Sequence, residues 1–461
     1  MHDINGWSVV GWRWSESGCW VAETDHRLPA TEHQFGGCIQ YFGGFCVIGG
    51  DCFFTMYEYH TLPNGIRIIL SHTPSRVVYS GVYINVGSRD EAGADEGMAH
   101  FIEHSLFKGT EHRRAHHILN RIDGVGGELN AFTTKEETAI YASSLAEHLD
   151  RCLELFADVL FHSTFPEGEI AKERDVVLEE INSYSDTPAE LIYDQFEELA
   201  FEGHPLAHNI LGSKRNVRRF TPDRVRRHLR SNYTPSRMVI TVAGDVKFER
   251  LVRLCERYFA GYEDHPSAVD RSVKPVFHPF ERHVNRHTHQ AHILLGCEAP
   301  NIYSTDKTAF TLLNNILGGP AMNSRLNVAV REHYGFCYNI ESQYVPFSDT
   351  GLFYIYAGAD LDARERVVGL IRTELERMAT TALTDRQLRR AQQQFIGQMA
   401  INNDLGLNEM QSIGKACLNF EHVDTLEEMN ADIMRLTPAD LLRVADKFFN
   451  TADYGELTYG N

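Results

Sequence analysis

The sequence predicts two similar α+β domains of about 200 residues each. Three observations carry this. The chain has 461 residues, 43% hydrophobic and 23% charged, the balance of a globular protein long enough for several cores. Strand patterns precede helix patterns, and that order occurs twice. Between the two runs, periodicity fails over residues 262–279, where Pro266, Pro275 and Pro279 sit among charges and read as a linker.

In the first run, residues 57–70 alternate around Pro63-Asn64-Gly65, a hairpin signal. Residues 77–86 form the next strand. Residues 97–107 carry apolar side chains at helical spacing, and 115–125 read as a helix stopped by Gly126-Gly127. Residues 128–132 and 138–143 look like paired strands. Long amphipathic helices follow at 145–161 and 166–183, then a strand at 238–242. The second run repeats the plan. A strand at 291–296 precedes a helix at 307–317, a Gly318-Gly319-Pro320 breaker and a helical stretch at 326–333. Paired strands at 338–344 and 351–358 and helices at 363–378 and 385–403 complete it.

Composition excludes several classes. A net charge of -19 argues against nucleic acid or an anionic membrane as the main partner, since both need a basic surface. No run of about 18 apolar residues suggests a membrane span. All four tryptophans (Trp7, Trp12, Trp14, Trp20) and four of nine cysteines fall within residues 1–52. Residues 1–55 have no basic-then-apolar leader and no C-x-x-C spacing. They read as an atypical extension, disordered or arising from an over-extended start, with Met56 as the next methionine. The other five cysteines are scattered singly, which points to a reducing, cytoplasmic compartment.

The chemistry concentrates in His100-Phe101-Ile102-Glu103-His104, an H-x-x-E-H pattern on the helix at 97–107. Histidines four apart share one helical face and reach one ion. Glu103, at the edge of that face, contacts a water rather than the ion. Chance alone gives about 0.08 such patterns in a chain of this composition, so context matters. Met98, Phe101, Ile102, Leu106 and Phe107 make this a largely buried helix, where two histidines and an acid need partners. Zinc suits two imidazoles and a carboxylate with an open fourth position. Glu173 and Glu180, seven apart on the 166–183 helix and flanked by Val176, Val177 and Ile181, are the candidate acids. Glu169 and Glu179 fit a solvated face better. His112, His116 and His117 lie on a polar stretch and read as exposed bystanders.

Three segments carry a resemblance: HFIEHSLFKGT from His100, GGELNAFTT from Gly126 and KERDVVLEEI from Lys172. With the inverted H-x-x-E-H order they resemble the pitrilysin/insulinase family of zinc peptidases, family M16, and its M16B branch. The similarity runs from about residue 57 to the C-terminus. It implies two similar domains of the LuxS/M16 type, each a mostly antiparallel sheet packed with helices. It divides the chain into an extension at 1–55, a catalytic zinc-binding domain at 56–262, a linker at 263–279 and a second domain at 280–461.

The resemblance also implies roles. In the family the third zinc ligand stands about 76 residues beyond the second histidine, and Glu180 stands 76 beyond His104. Glu173 matches a supporting acid. Asn130, Ala131 and Phe132 match the edge strand on which relatives lay substrate. Arg331 and Tyr338, seven apart, match the pair that binds the substrate carbonyl or its oxyanion. The family's longer glycine run before Ser324 is absent here; Gly318 to Asn323 stand in its place. Relatives often split the zinc ligands and the Arg/Tyr pair between two subunits. This chain holds both, which implies a homodimer closing as a clamshell around peptides or unfolded segments. The rival expectation is an inactive relative serving as a structural or peptide-binding subunit; such proteins lose ligands, and here all three ligands and the base are retained.

Overall fold

The structure, a computed structural model, describes residues 57–91, 93–450 and 453–460, and the backbone of two strands further upstream. Those strands, Gly11–Trp14 and Trp20–Glu23, pair antiparallel with Trp14 opposite Trp20. They belong to a unit spanning Met1–Phe54, separate from the unit Thr55–Asn461. The reading of residues 1–55 as disordered or as an over-extended start otherwise lies outside the described residues.

The large unit contains two sheets of the same plan. The first has six strands, in the order Tyr57–Thr61, Arg67–His72, Met238–Gly244, Val77–Ile84, Thr138–Leu145, Glu128–Thr133. The second has five, in the order Phe280–Asn285, Gly455–Gly460, Ala291–Ala299, Gly351–Ala359, Cys337–Pro346. Each sheet is antiparallel except for one pair: Arg67–His72 with Met238–Gly244 in the first, Phe280–Asn285 with Gly455–Gly460 in the second. Read from that parallel pair, both sheets run through the same succession to a free edge. The first ends on Glu128–Thr133 and the second on Cys337–Pro346. The predicted repeat is therefore a repeat of topology.

Each sheet packs one face on its own helices. Val82, Ile84 and Ile140 meet Phe101, Ile102, Leu153 and Phe156 in the first half. Ile293, Phe353 and Ile355 meet Phe310, Val367 and Val444 in the second. The other faces are covered by exchange. Helix Pro188–Ala200, from the first half, buries Ile192 and Phe196 against Leu294, Tyr354 and Leu457 of the second sheet. Helix Gly406–Asn419, from the second half, buries Met410 and Ile413 against Ile69, Tyr83 and Val239 of the first. Glycine permits the close approach there: a Cβ on Gly414 would stand 2.7 Å from the Tyr83 ring. Each fully buried aliphatic or aromatic side chain contributes roughly 1.5–3 kcal/mol, so the two exchanged helices bind the halves firmly.

Charged contacts reinforce that join. Arg89, 4% exposed, donates to both Asp349 oxygens at 2.9 Å and pairs with Glu136. Glu136 also accepts from the Ser348 backbone N–H at 2.9 Å. The 263–279 stretch carries no helix or strand, yet it is anchored. Arg271 forks onto Asp90 with two 2.7 Å bonds and reaches Asn85 at 2.9 Å.

The predicted elements lie close to their observed places, with differences of local geometry. The helix expected from residue 145 begins at Leu149, because the strand before it runs through Leu145. The stretch at 326–333 winds as a π-helix, Asn327–Glu332. Val176, placed beside the acids of its helix, is 50% exposed, while Val177 is buried and Ile181 packs partly buried against the core. Among the described residues no helix is long and apolar enough to cross a membrane.

Candidate functional site

The H-x-x-E-H segment lies on helix Met98–Ser105. That helix starts at Gly97 in the left-handed region, φ +92°, against Leu211 and Gly212, where a Cβ would stand 2.7 Å from Leu211 O. Gly97 has no side chain to cap the first turn. Glu91 supplies the cap from outside: its buried carboxylate accepts from the backbone N–H groups of Gly97, at 2.6 Å, and Ala99. Full burial pushes the Glu91 carboxyl well up, against the pull of those two bonds.

Helix Glu167–Ser185 supplies the acids. Glu173 and Glu180 are seven residues apart, two turns of one face, about 10 Å along the axis. One end of this pair meets both histidines. Glu180 Oε2 lies 3.7 Å from His100 Nε2 and 3.6 Å from His104 Nε2. These separations are too long for hydrogen bonds. Three donors held at about 2.0–2.2 Å by one tetrahedral ion stand roughly 3.3–3.6 Å apart, close to what is seen. The buried atoms Glu180 Oε2 and His100 Nδ1 have no hydrogen-bond partner. An orphaned carboxylate oxygen facing two imidazole nitrogens is a donor set that fits a divalent cation.

The electrostatics follow from burial and neighbours. Burial, with His104 beside it, brings the His100 imidazole down to about 3, so it is neutral, the form a metal ligand needs. For His104, burial opposes protonation, but the Glu173 contact and the Glu180 and Glu103 charges together raise its pKa. Burial pushes the Glu103 carboxyl up, with Glu180 adding and the nearby Thr133 hydroxyl and His104 opposing. Glu173 is 6% exposed. Burial would raise it, yet its bonds to His104 and Lys108 hold it below the usual carboxylate range. Its Oε1 lies 3.3 Å from His104 Nδ1 and its Oε2 2.8 Å from Lys108 Nζ.

The structure therefore brings together His100, Glu103, His104, Glu173 and Glu180. It places Asn130, Ala131 and Phe132 on the outermost strand of the first sheet, next to the helix that carries the histidines. The Ala131 N–H bonds Asn130 Oδ1 at 2.8 Å. Phe132 rests edge-on to Tyr83, centroids 6.0 Å apart. Beside the Asn130 end runs an open groove of about 780 Å³ between Glu128, Asn130, Tyr79, Tyr141, Leu405 and Asn408. None of the histidine or acid cluster lines it.

Arg331 and Tyr338 stand apart from this cluster. They lie at the second sheet's free edge, with Tyr338 81% exposed. The Arg331 guanidinium sits 5.6 Å from the Tyr338 ring centroid. No hydrogen bond, ion pair or ring contact among the described residues links either side chain to the first-half cluster.

His112 is exposed, as expected of a bystander, and its Nδ1 also meets Asp158 at 2.6 Å. Asp158 is buried and also accepts from Thr110 and Arg113, so His112 pins the loop after the histidine helix. His116 and His117 are exposed as expected. A second group, His422, Asp424 and Glu428, is fully on the surface, and Glu428 there serves as a helix cap, accepting from the Thr425 N–H at 2.8 Å. Sequence reasoning gave no role to Glu91 or Lys108. Lys108 was readable in principle, since it follows His104 by four residues.

Comparisons with known proteins give the family. The model of the insulinase peptidases, family M16, matches residues 67–214, and that of the M16 inactive domain matches 219–395. An uncharacterized zinc protease of Bacillus subtilis, YmxG, is 35% identical over 84% of this chain and 94% of its own length. The chain belongs to the M16 family of peptidases. A second M16 relative, an uncharacterized zinc protease of Streptomyces coelicolor, is 36% identical over 84% of this chain and 85% of its own. A protease from Helicobacter pylori has the same fold, with a TM-score of 0.81 over 88% of this chain and 100% of that one, at 22% identity. The M16 inactive-domain match begins at 219, yet strand Met238–Gly244 is central in the first sheet.

Proposed function

We propose that this chain is a zinc-dependent endopeptidase that hydrolyses peptides or unfolded segments. His100, His104 and Glu180 hold the zinc. The observation that carries the reading is the orphaned Glu180 Oε2 facing two imidazole nitrogens at 3.6–3.7 Å. Bound there, zinc supplies a Lewis acid and lowers the pKa of a water. Glu103, its carboxyl raised by burial, takes the proton of the attacking water and returns it to the leaving amine. Glu173 fixes the His104 ring through Nδ1.

The free edge at Asn130–Phe132 suits a substrate taken as an added strand. Backbone pairing reads little side-chain identity, so substrates of many sequences fit. An incoming strand replaces the local Asn130 bond to the Ala131 N–H. The adjacent groove gives alternate substrate side chains room beyond the cleavage point.

Arg331 and Tyr338 stabilise the developing oxyanion. Because they stand exposed and apart from the metal ligands, the pair serves a second copy's centre, and the working unit is a homodimer closing as a chamber. The functional division is a catalytic domain at 56–262, an anchored linker at 263–279 and a second domain at 280–461. Five buried free thiols suit a reducing compartment, the cytoplasm.

The test is metal analysis with product mass spectrometry on a mixed peptide library. The wild type binds one zinc per chain and cleaves, while Glu103→Gln binds zinc and does not cleave. A wild type without zinc would favour an inactive structural relative, and zinc-independent peptide capture without turnover would favour a helper subunit.

A further inference from the structure

Beyond the two histidines and three acids lies one more charged group. Lys108 closes the single 3-10 turn, Leu106–Lys108, that continues the histidine helix. Its ammonium is 2.8 Å from Glu173 Oε2, while Glu173 Oε1 faces His104 Nδ1 at 3.3 Å. The two oxygens of one buried carboxylate are thus divided between a lysine and a ligand. Among the described residues, Lys108 is the one lysine or arginine paired with Glu173.

This division has a geometric consequence. A carboxylate gripped on one oxygen only can rotate about its last torsion. Gripped on both, it presents Oε1 to Nδ1 in one orientation. That keeps the proton of His104 on Nδ1 and the lone pair of Nε2 aimed toward His100 and Glu180. The two histidines differ in this respect. His100 Nδ1 is buried with no hydrogen-bond partner among the described residues. The hydrogen bond that fixes a ligand ring is therefore the one at His104, and through Glu173 it depends on Lys108.

We infer that Lys108 is a positioning residue for metal binding, acting through Glu173 on His104. This rests on the zinc reading above but is separable from it. Its side chain is 29% exposed, so replacement leaves no buried void. Loss of its bond frees one oxygen of a carboxylate that is 7% exposed.

The experiment measures zinc affinity of the full chain by competition with a chromophoric chelator. It is paired with thermal unfolding of the metal-free protein and the absorption spectrum of its cobalt form. Lys108→Met is expected to weaken zinc binding by about 10- to 100-fold and to alter the cobalt spectrum. Lys108→Arg restores most of the affinity. Glu173→Gln loses a similar amount, and adding Lys108→Met to it costs nothing more, because the lysine acts through that acid. A purely structural lysine predicts instead a lowered metal-free melting temperature with zinc affinity intact, which would overturn the inference. Equal and additive losses in the double variant would also overturn it. A wild type that binds no zinc would overturn the zinc reading itself, a result distinct from either.

Discussion

Around His104, polar atoms have assigned partners. Glu91 caps the helix, Glu173 faces Nδ1, Lys108 holds Glu173, and the atoms left over point toward a common centre. Around Tyr338 the Arg331 guanidinium lies near the ring, which is open to solvent. Both regions lie at corresponding free edges of sheets with the same strand order. One edge is furnished from within its own half; the other leaves its tyrosine open to solvent. The duplicated fold thus supplies two edges, and the sequence has equipped them differently.

The comparison can be broken at several points. The largest effect belongs to the ligands. His104→Ala or Glu180→Gln removes zinc and cleavage together, as metal analysis and peptide assay would show; retained stoichiometric zinc would remove these residues from the ligand set. Next comes Glu103→Gln, expected to keep zinc and lower kcat by at least about 10²–10⁴-fold. Smaller is the loss at the second edge. Arg331→Ala and Tyr338→Phe are expected to lower kcat by about 10²–10³-fold or less, with zinc affinity and melting temperature unchanged, since Tyr338 packs on so little. A change in zinc affinity there would erase the distinction between the two edges.

Acid tests a buried histidine beside the candidate site. His228, on a helix packed against the histidine helix, is buried with Nε2 unpartnered, and burial brings it down to about 4 against Asp95 and Asp90. The unfolded imidazole binds a proton near its ordinary value of about 6.5, which the folded chain refuses until about pH 4. The unfolded state therefore holds more protons in that window, and stability falls as pH drops through it. Denaturant titrations of the metal-free chain should show this slope from about pH 6.5 downward, and His228→Leu should make it shallower, leaving the share that His100, brought down to about 3, contributes in the same sense. The smallest effect is expected from a chain starting at Met56, which should fold, bind zinc and cleave like the full chain; failure to fold would make residues 1–55 part of the working structure.

Much of the first edge was legible because it is local. Four-residue and seven-residue spacings put His100 with His104, and Glu173 with Glu180, on single helix faces. Strand alternation likewise revealed two strand pairs, 128–132 with 138–143 and 338–344 with 351–358. Long-range partners left no such trace. Asp158 lies 46 residues from His112, and Arg271 lies 181 from Asp90. Nor does periodicity over six residues separate a π-helix at Asn327–Glu332 from an α-helix. The exchange of helices Pro188–Ala200 and Gly406–Asn419 was hidden for the same reason: an apolar stripe does not say whose sheet it covers. Val176 is the opposite case, an apolar residue left outside because its turn of the helix faces solvent.

Mixing two impaired variants tests the proposed division most directly. Glu103→Gln carries an intact Arg331, and Arg331→Ala carries an intact Glu103. If one copy's second edge serves the other copy's metal centre, an equimolar mixture forms mixed dimers with one complete site. Peptide cleavage should then return to about a quarter of the wild-type rate. A mixture no more active than its components, with dimer exchange verified, would contradict the account.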